Sequence, residues 1–277
     1  MNTKNIFLFS VALFVTLLFV VPRSFIPLDL GDTIITVTAF LFGIIAGFYI
    51  VVTTTDYNSI KNILASETAK WISLYQNVVI YDEPTSQKLS SLIDAYIRRA
   101  FDYEVMDYER GTREEFAKIT KAVRDLPLKH ETSYIYEKIC NTFDDIINTR
   151  QQLAVLGTRA LQTFQWIILI TLAVLFIFSL YGLRTGELFF DVVTVAISSS
   201  IVLVLLLIRE LDLYLWNEKT FGYDIFENVL ASIGQLPYYP SESLEKGRVQ
   251  PAETDYRVGV AGKTYTDPRT IEIRHNK

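Results

Sequence analysis

The sequence predicts an all-α membrane protein with four transmembrane helices, the second and third extended into a cytosolic helical bundle. Three observations predict it. Half of the 277 residues are hydrophobic and mean hydropathy is positive, too apolar for an ordinary soluble domain, yet 21% are charged, too many for a chain lying wholly in lipid. Four apolar runs approach or reach the length a bilayer demands, about 20 residues of helix each. Beyond the second run and before the third, apolar residues continue at three- and four-residue steps, the mark of an amphipathic helix.

The first run, Ile6 to Val21, is ended by Pro22 and Pro27. No small-x-small site follows it, so it is read as a membrane helix rather than a cleaved leader. The second span runs from about Thr33 to Thr53 and carries Ala39, Gly43 and Gly47 at four-residue steps. Such a stripe lets helices approach closely. It serves tight packing inside one subunit, or a pore-facing or subunit interface. Ile60, Leu64, Trp71, Leu74 and Val78 then carry the same helix to Tyr81. Asp82–Thr85 is a turn, Ser86 to about Tyr108 a helix that Gly111 breaks, and Thr112-Arg113-Glu114-Glu115 a capping-box match opening a short helix that ends at Leu126-Pro127.

From Thr132 to Tyr181 the sequence reads as one helix living in two solvents. Ile135, Ile139, Phe143, Ile146, Leu153, Leu156 and Ala160 give its amphipathic half and Thr163 to Gly182 its membrane half, with Gly157 a weak point only. The fourth span, Leu188 to Ile208, has Asp191 at one end and Ser198, Ser199 and Ser200 at its middle. Those hydroxyls either bond back to backbone carbonyls in a packed interface or line an ion path. A short helix to about Trp216 and another from Asp224 to Ile233, closed by Gly234, come next. The expected divisions are therefore 1–54, 55–162, 163–208, 209–240 and 241–277. The last is polar and read as flexible, with a small β-hairpin around Tyr256 to Ile273 as the alternative. The connections after the first and third spans carry one basic residue each, Arg23 and Arg184, against Lys61, Arg150, Arg159 and Arg209 at the other ends. That asymmetry places both termini and the bundle on the cytoplasmic side of the cell membrane.

Several chemistries are set aside. A net charge of −5 with no basic patch argues against nucleic acid. The single cysteine, Cys140, excludes an internal disulfide. The two histidines, His130 and His275, lie near no second metal ligand, so no metal and no cofactor is expected. Gly262-Lys263-Thr264 lacks the glycine that a phosphate loop needs five positions earlier, and no hydrolase, zinc-protease or dinucleotide motif occurs. No enzyme is expected. Two charges stand out instead. Glu67 lies in the series Ile60, Leu64, Trp71, Leu74, and Arg150 between Ile146 and Leu153, both on apolar faces. A charge there must be paired. Each lies about 13 residues, or roughly 20 Å, from its membrane boundary, so the two are expected to meet in a buried pair. The alternative is a charge in an ion path or ligand vestibule.

Two spans, a helical segment of roughly a hundred residues, two more spans and a tail resemble the bestrophins, and more closely the bacterial bestrophin-like membrane proteins. The residues behind that likeness are Ser66-Glu67-Thr68-Ala69 with Leu74-Tyr75, Asn148-Thr149-Arg150, and Leu211-Asp212 with Thr220-Phe221-Gly222. The likeness covers about Phe40 to Pro240. It implies an oligomeric anion channel whose second span lines the pore, with Phe40, Ile44 and Phe48 as pore candidates. Its partners would be the lipid bilayer, further copies of the chain and a small inorganic ion. The family's acidic calcium clasp follows an Asn-Pro-Phe-Gly motif; here Phe221-Gly222 is followed only by Asp224 and Glu227, so the likeness does not extend to calcium gating. A non-conducting scaffold or sensor, whose helical bundle binds a protein, is the competing expectation.

Overall fold

Apolar and amphipathic stretches alike are helical in the computed structural model, which describes residues 3–22, 26–103, 107–129, 133–156, 161–213, 223–245, 247, 249–251, 254–261 and 269–275. The helices are α1 (Thr3–Val20), α2 (Leu28–Tyr81), α3 (Glu83–Ala100), α4 (Tyr108–Gly111), α5 (Arg113–Arg124), α6 (Ser133–Leu156), α7 (Thr163–Gly182), α8 (Leu188–Asp212), α9 (Asp224–Ser232) and α10 (Ser241–Glu245). Three strands, β1 (Tyr238–Pro240), β2 (Tyr256–Val260) and β3 (Thr270–Arg274), form one sheet in that order. Arg23, Ser24, His130, Gly157, Arg159, Ala160, Trp216, Thr220 to Gly222 and Gly262 to Thr264 lie outside the described residues.

Two compact units divide the chain. The first comprises Met1–Tyr57 and Arg159–Trp216. Its apolar core brings Phe42, Ala46 and Tyr49 of α2 together with Leu169 and Ala173 of α7 and Ile201 and Ile208 of α8. Among the described residues three helices, α2, α7 and α8, are long and apolar enough to cross a bilayer; α1 is shorter, apolar over Asn5–Val20. Arg184, in the connection after α7, lies buried against the end of α1. Its guanidinium donates to the carbonyls of Leu18 (2.7 Å) and Val21 (3.2 Å), the acceptors that a helix end leaves without intrahelical donors. It also pairs with Asp191 of α8 at 3.2 Å.

The second unit comprises Asn58–Thr158 and Asn217–Lys277. Trp71, Leu74 and Val78 of α2, Leu89, Ile93 and Ile97 of α3, Ile119 of α5, and Ile139 and Ile146 of α6 are among its buried side chains. Asp82 opens α3: its carboxylate accepts from the Thr85 hydroxyl (2.6 Å) and backbone N–H (3.2 Å), and pairs with Lys129 (2.9 Å). The Thr85 hydroxyl first, and Lys129 next, hold that carboxyl below the usual carboxylate range. A depressed carboxyl stabilises above its unfolded value, and the contribution is lost as pH falls through the folded one. Asp82→Ala is therefore expected to cost about 0.5–2 kcal/mol near neutral pH. In chemical unfolding the deficit should shrink towards pH 3; a deficit unchanged by acid would discount the charge.

Four expectations are corrected. The helix read from Thr132 to Tyr181 is two helices: α6 ends at Leu156, and Leu161 and Gln162 are non-helical before α7. Gln162 is extended and shares a capping box with Gln165, while the Asp212 carboxylate accepts the Leu161 N–H at 2.9 Å. The helix after Asp82 ends at Ala100, not near Tyr108, because Phe101 turns to stack on Tyr223, ring centroids 4.7 Å apart. The Thr112 capping box is not made; its hydroxyl accepts from Arg150 at 3.1 Å instead. Within 241–277, α10, β2 and β3 replace the flexible tail over their lengths. β1 pairs parallel and β3 antiparallel with β2, and Arg257 ties β2 to Asp94 of α3 at 2.6 Å. The end of α9 follows its glycine: Gly234 has φ +73°, and the Gln235 N–H reaches back to the Leu230 carbonyl at 2.8 Å.

Candidate functional site

One face of α2 is left unpartnered within the first unit. At about 100° per residue, Phe40, Gly43, Ile44, Gly47 and Phe48 fall within an arc of about 140°. Phe42, Ala46, Tyr49 and Thr53 occupy the opposite side and are buried. Phe40 is 67%, Ile44 54% and Phe48 61% exposed. A Cβ added at Gly43 or Gly47 would meet nothing within 4 Å. Packing inside one subunit, the first of the two readings of that stripe, is therefore not made among the described residues. What remains is a face about two and a quarter turns long, apolar, and flattened at two points four residues apart. In a bilayer that geometry suits the approach of another helix.

The three serines of α8 separate. Ser200 is exposed and donates back to the Ala196 carbonyl at 2.9 Å. Ser198 and Ser199 are buried, and their hydroxyls have no hydrogen-bond partner among the described residues. Back-bonding thus accounts for one hydroxyl of three. The small side chains of the other two sit where the helix is enclosed.

Glu67 and Arg150 both lie in the second unit and are 0% and 3% exposed. They come together on one tyrosine. The Tyr96 hydroxyl donates to Glu67 Oε1 at 2.7 Å, and the Arg150 guanidinium donates to that same hydroxyl. Trp71 Nε1 gives Glu67 Oε1 a second donor at 3.1 Å. Arg150 also reaches the Glu109 carbonyl (3.2 Å) and lies over the Phe116 ring, 4.2 Å from its centroid. The sequence reading missed Tyr96, Trp71 and Thr112 as partners. Trp71 was legible in principle, one helical turn after Glu67; Tyr96 and Thr112 belong to other elements. The cluster binds α2, α3 and α6 and the start of α5 through charge-assisted bonds.

A cleft of about 800 Å³ in the same unit is lined by Arg98, Arg99, Asp102, Tyr103 and Arg269 among others. Three of its arginines are paired: Arg98 with Asp94 (2.9 Å), Arg99 with Asp102 (3.2 Å), and Arg269 with Asp102 (2.5 Å) and Glu242 (2.7 Å). Burial lowers and the Glu242 and Asp102 carboxylates raise the Arg269 pKa, for a net rise. Burial pushes the Tyr238 phenol, at the cleft wall, up to about 12.

Long apolar helices carrying an unpartnered apolar face, with a separate helical unit built around a buried charge cluster, define a polytopic membrane protein. The chain belongs to the bestrophin-like family, whose bestrophin-like domain matches residues 5–213. Among solved structures, a single-residue variant of a bacterial bestrophin homologue from Klebsiella pneumoniae is similar in fold, with a TM-score of 0.66, 15% identity, and coverage of 85% of this chain and 99% of that one. The zinc-phased structure of a bestrophin homologue from the same organism gives 0.64 and 15%, covering 83% and 99%. A further crystal structure described as a membrane protein gives 0.63 and 14%, covering 85% and 100%. At these identities the likeness concerns the fold. No curated protein matches the chain.

Proposed function

We propose that this chain spans the cell membrane four times and assembles with copies of itself into a channel for a small inorganic ion, an anion by family likeness. Copies of α2 meet around the axis, with Phe40, Ile44 and Phe48 towards the pore and Gly43 and Gly47 at the contact between neighbouring copies. The observation that carries this reading is the unpartnered face of α2: glycines gain nothing by facing lipid, whereas two of them four residues apart admit a second helix. Both termini and residues 55–162 lie on the cytoplasmic side, as the basic residues favour. The competing reading, a non-conducting scaffold, is favoured by the exposed Ile80, Leu128 and Tyr134 of the second unit, an apolar set that a protein partner would cover.

The test is mass measurement in mild detergent followed by flux in liposomes. The assembly should have a multiple of the 31.8 kDa chain mass and dissipate a chloride gradient. Gly43→Leu and Gly47→Leu should dissociate it or slow flux by about tenfold or more, equivalent to roughly 1.4 kcal/mol in the barrier, while Leu41→Ala is milder. An intact oligomer that passes no ion would favour the scaffold. Equal behaviour of all three variants would remove the glycine stripe from the assembly.

A further inference from the structure

The sheet of the second unit leaves one strand edge open. β3 is last in the order β1-β2-β3, and among the described residues its only strand partner is β2. Every residue from Thr270 to Arg274 is exposed, Ile273 to 57%. The hairpin is nonetheless held in place, by Arg269 on Asp102 and Glu242 at one end of β3 and by Arg257 on Asp94 along β2. A fixed strand with a free outer edge offers unpaired N–H and C=O groups to a further strand.

The order of residues in β3 selects that strand. In antiparallel pairing, opposed residues point their backbone groups the same way, both into the ladder or both out of it. A strand meeting a copy of itself is therefore centred on a residue, never between two. Centring on Glu272 sets two carboxylates against each other, and centring on Arg274 sets two guanidinium groups together. Centring on Ile271 puts Glu272 opposite Thr270 and gives Arg274 no acid. Centring on Ile273 puts Glu272 opposite Arg274 of the copy, twice by symmetry, and Ile273 opposite Ile273. Unlike charges across strands attract and like charges repel, so one register stands apart. Side chains alternate, so both ion pairs share one face and Ile271 and Ile273 the other. Within one chain Glu272 and Arg274 approach only to 3.9 Å, half-exposed and free to turn to new partners.

We propose that β3 is an isologous docking edge: a second copy of this chain adds its own β3 antiparallel, centred on Ile273, to give a continuous six-stranded sheet. This contact is independent of the face of α2 and holds for a channel or a scaffold alike. The test uses the full chain in detergent with Cys140→Ser as background. Directly opposed residues have Cα atoms about 4.5–5.5 Å apart, within disulfide reach. Mild oxidation of Ile273→Cys should therefore give a species of twice the chain mass on a non-reducing gel. Thr270→Cys should give several-fold less, since its two copies would lie about 20 Å apart. Adding Glu272→Lys to Ile273→Cys should suppress the dimer, and adding Arg274→Glu as well should restore it, whereas a folding defect would not be rescued by a second charge change. Equal cross-linking at both positions, indifference to the charge swap, no cross-link, or an adduct with the mass of a foreign protein each overturns the proposal.

Discussion

Arg150→Met is expected to cost about 3–5 kcal/mol, because it leaves the Glu67 carboxylate enclosed without its cation. Glu67 is 0% exposed, and Trp71 and Tyr96 donate to it as neutral groups, which cannot balance a full charge. Tyr96→Phe should cost less, about 1–3 kcal/mol, since it removes the hydroxyl that relays between the two while both charges remain. Unfolding of the purified protein in detergent, by denaturant or heat, measures the series. The diagnostic variant combines Glu67→Gln with Arg150→Met. It should recover much of the single-variant loss, since a buried pair removed together is far cheaper than one partner removed alone. Strict additivity of the two single effects would show that the charges do not interact. Exchange of the pair, Glu67→Arg with Arg150→Glu, should recover a smaller part, because Tyr96, Thr112 and the Glu109 carbonyl are arranged for the present polarity.

Asp212→Ala should have the second largest effect, and it acts in the other unit. The carboxylate at the end of α8 is 2% exposed and accepts from the Leu161 N–H at 2.9 Å and from Trp166 Nε1 at 3.0 Å. Its removal leaves two donors without that acceptor, at about 1–3 kcal/mol each. Asp212→Asn, which keeps one carbonyl oxygen, should fall between parent and Asp212→Ala. Thermal unfolding in detergent reads the cost, and Trp166 emission should shift to the red as the indole loses its enclosed partner. An Asp212→Ala variant within about 0.5 kcal/mol of the parent, the ordinary range of surface changes, would show that the carboxylate does not hold the start of α7.

These two residues also show what was legible in the sequence. The continuation of α2 to Tyr81 was, because apolar residues at three- and four-residue steps persist past Thr55 and no breaker interrupts them. The break before α7 was not. Leu161 and Gln162 suit a helix by local propensity, and the acceptor that turns the chain there lies 51 residues away. Thr112 matched a capping box by spacing, yet Arg150, 38 residues on, takes its hydroxyl. Glu67 and Arg150 stood out only as charges on apolar faces. Tyr96, which joins them, read as one more apolar-face aromatic of its helix. β2 and β3 are five residues each, too short to show a sustained period, and β2 is held by Arg257 on Asp94, a contact 163 residues apart. Local pattern reports which face of a helix is apolar; it does not report which distant side chain will arrive to end that helix. For the face of α2 the limit is different. Gly43 and Gly47 are visible with Ala39 as a small-residue stripe in the sequence, while Phe40, Ile44 and Phe48 entered only through the family likeness, and none of the described residues packs over Gly43 or Gly47.

The arginine that closes the end of α1 sets a clock on biosynthesis. Leu18 and Arg184 are 166 residues apart. At about 5–20 residues per second, a ribosome needs roughly 8–33 s to deliver that guanidinium after the carbonyl has been made. Through that interval the first apolar helix must persist with the Leu18 and Val21 carbonyls hydrated or bonded to a stand-in such as lipid headgroup water. Its final seat is then settled by the much later α7–α8 helical hairpin rather than by its own 18 residues.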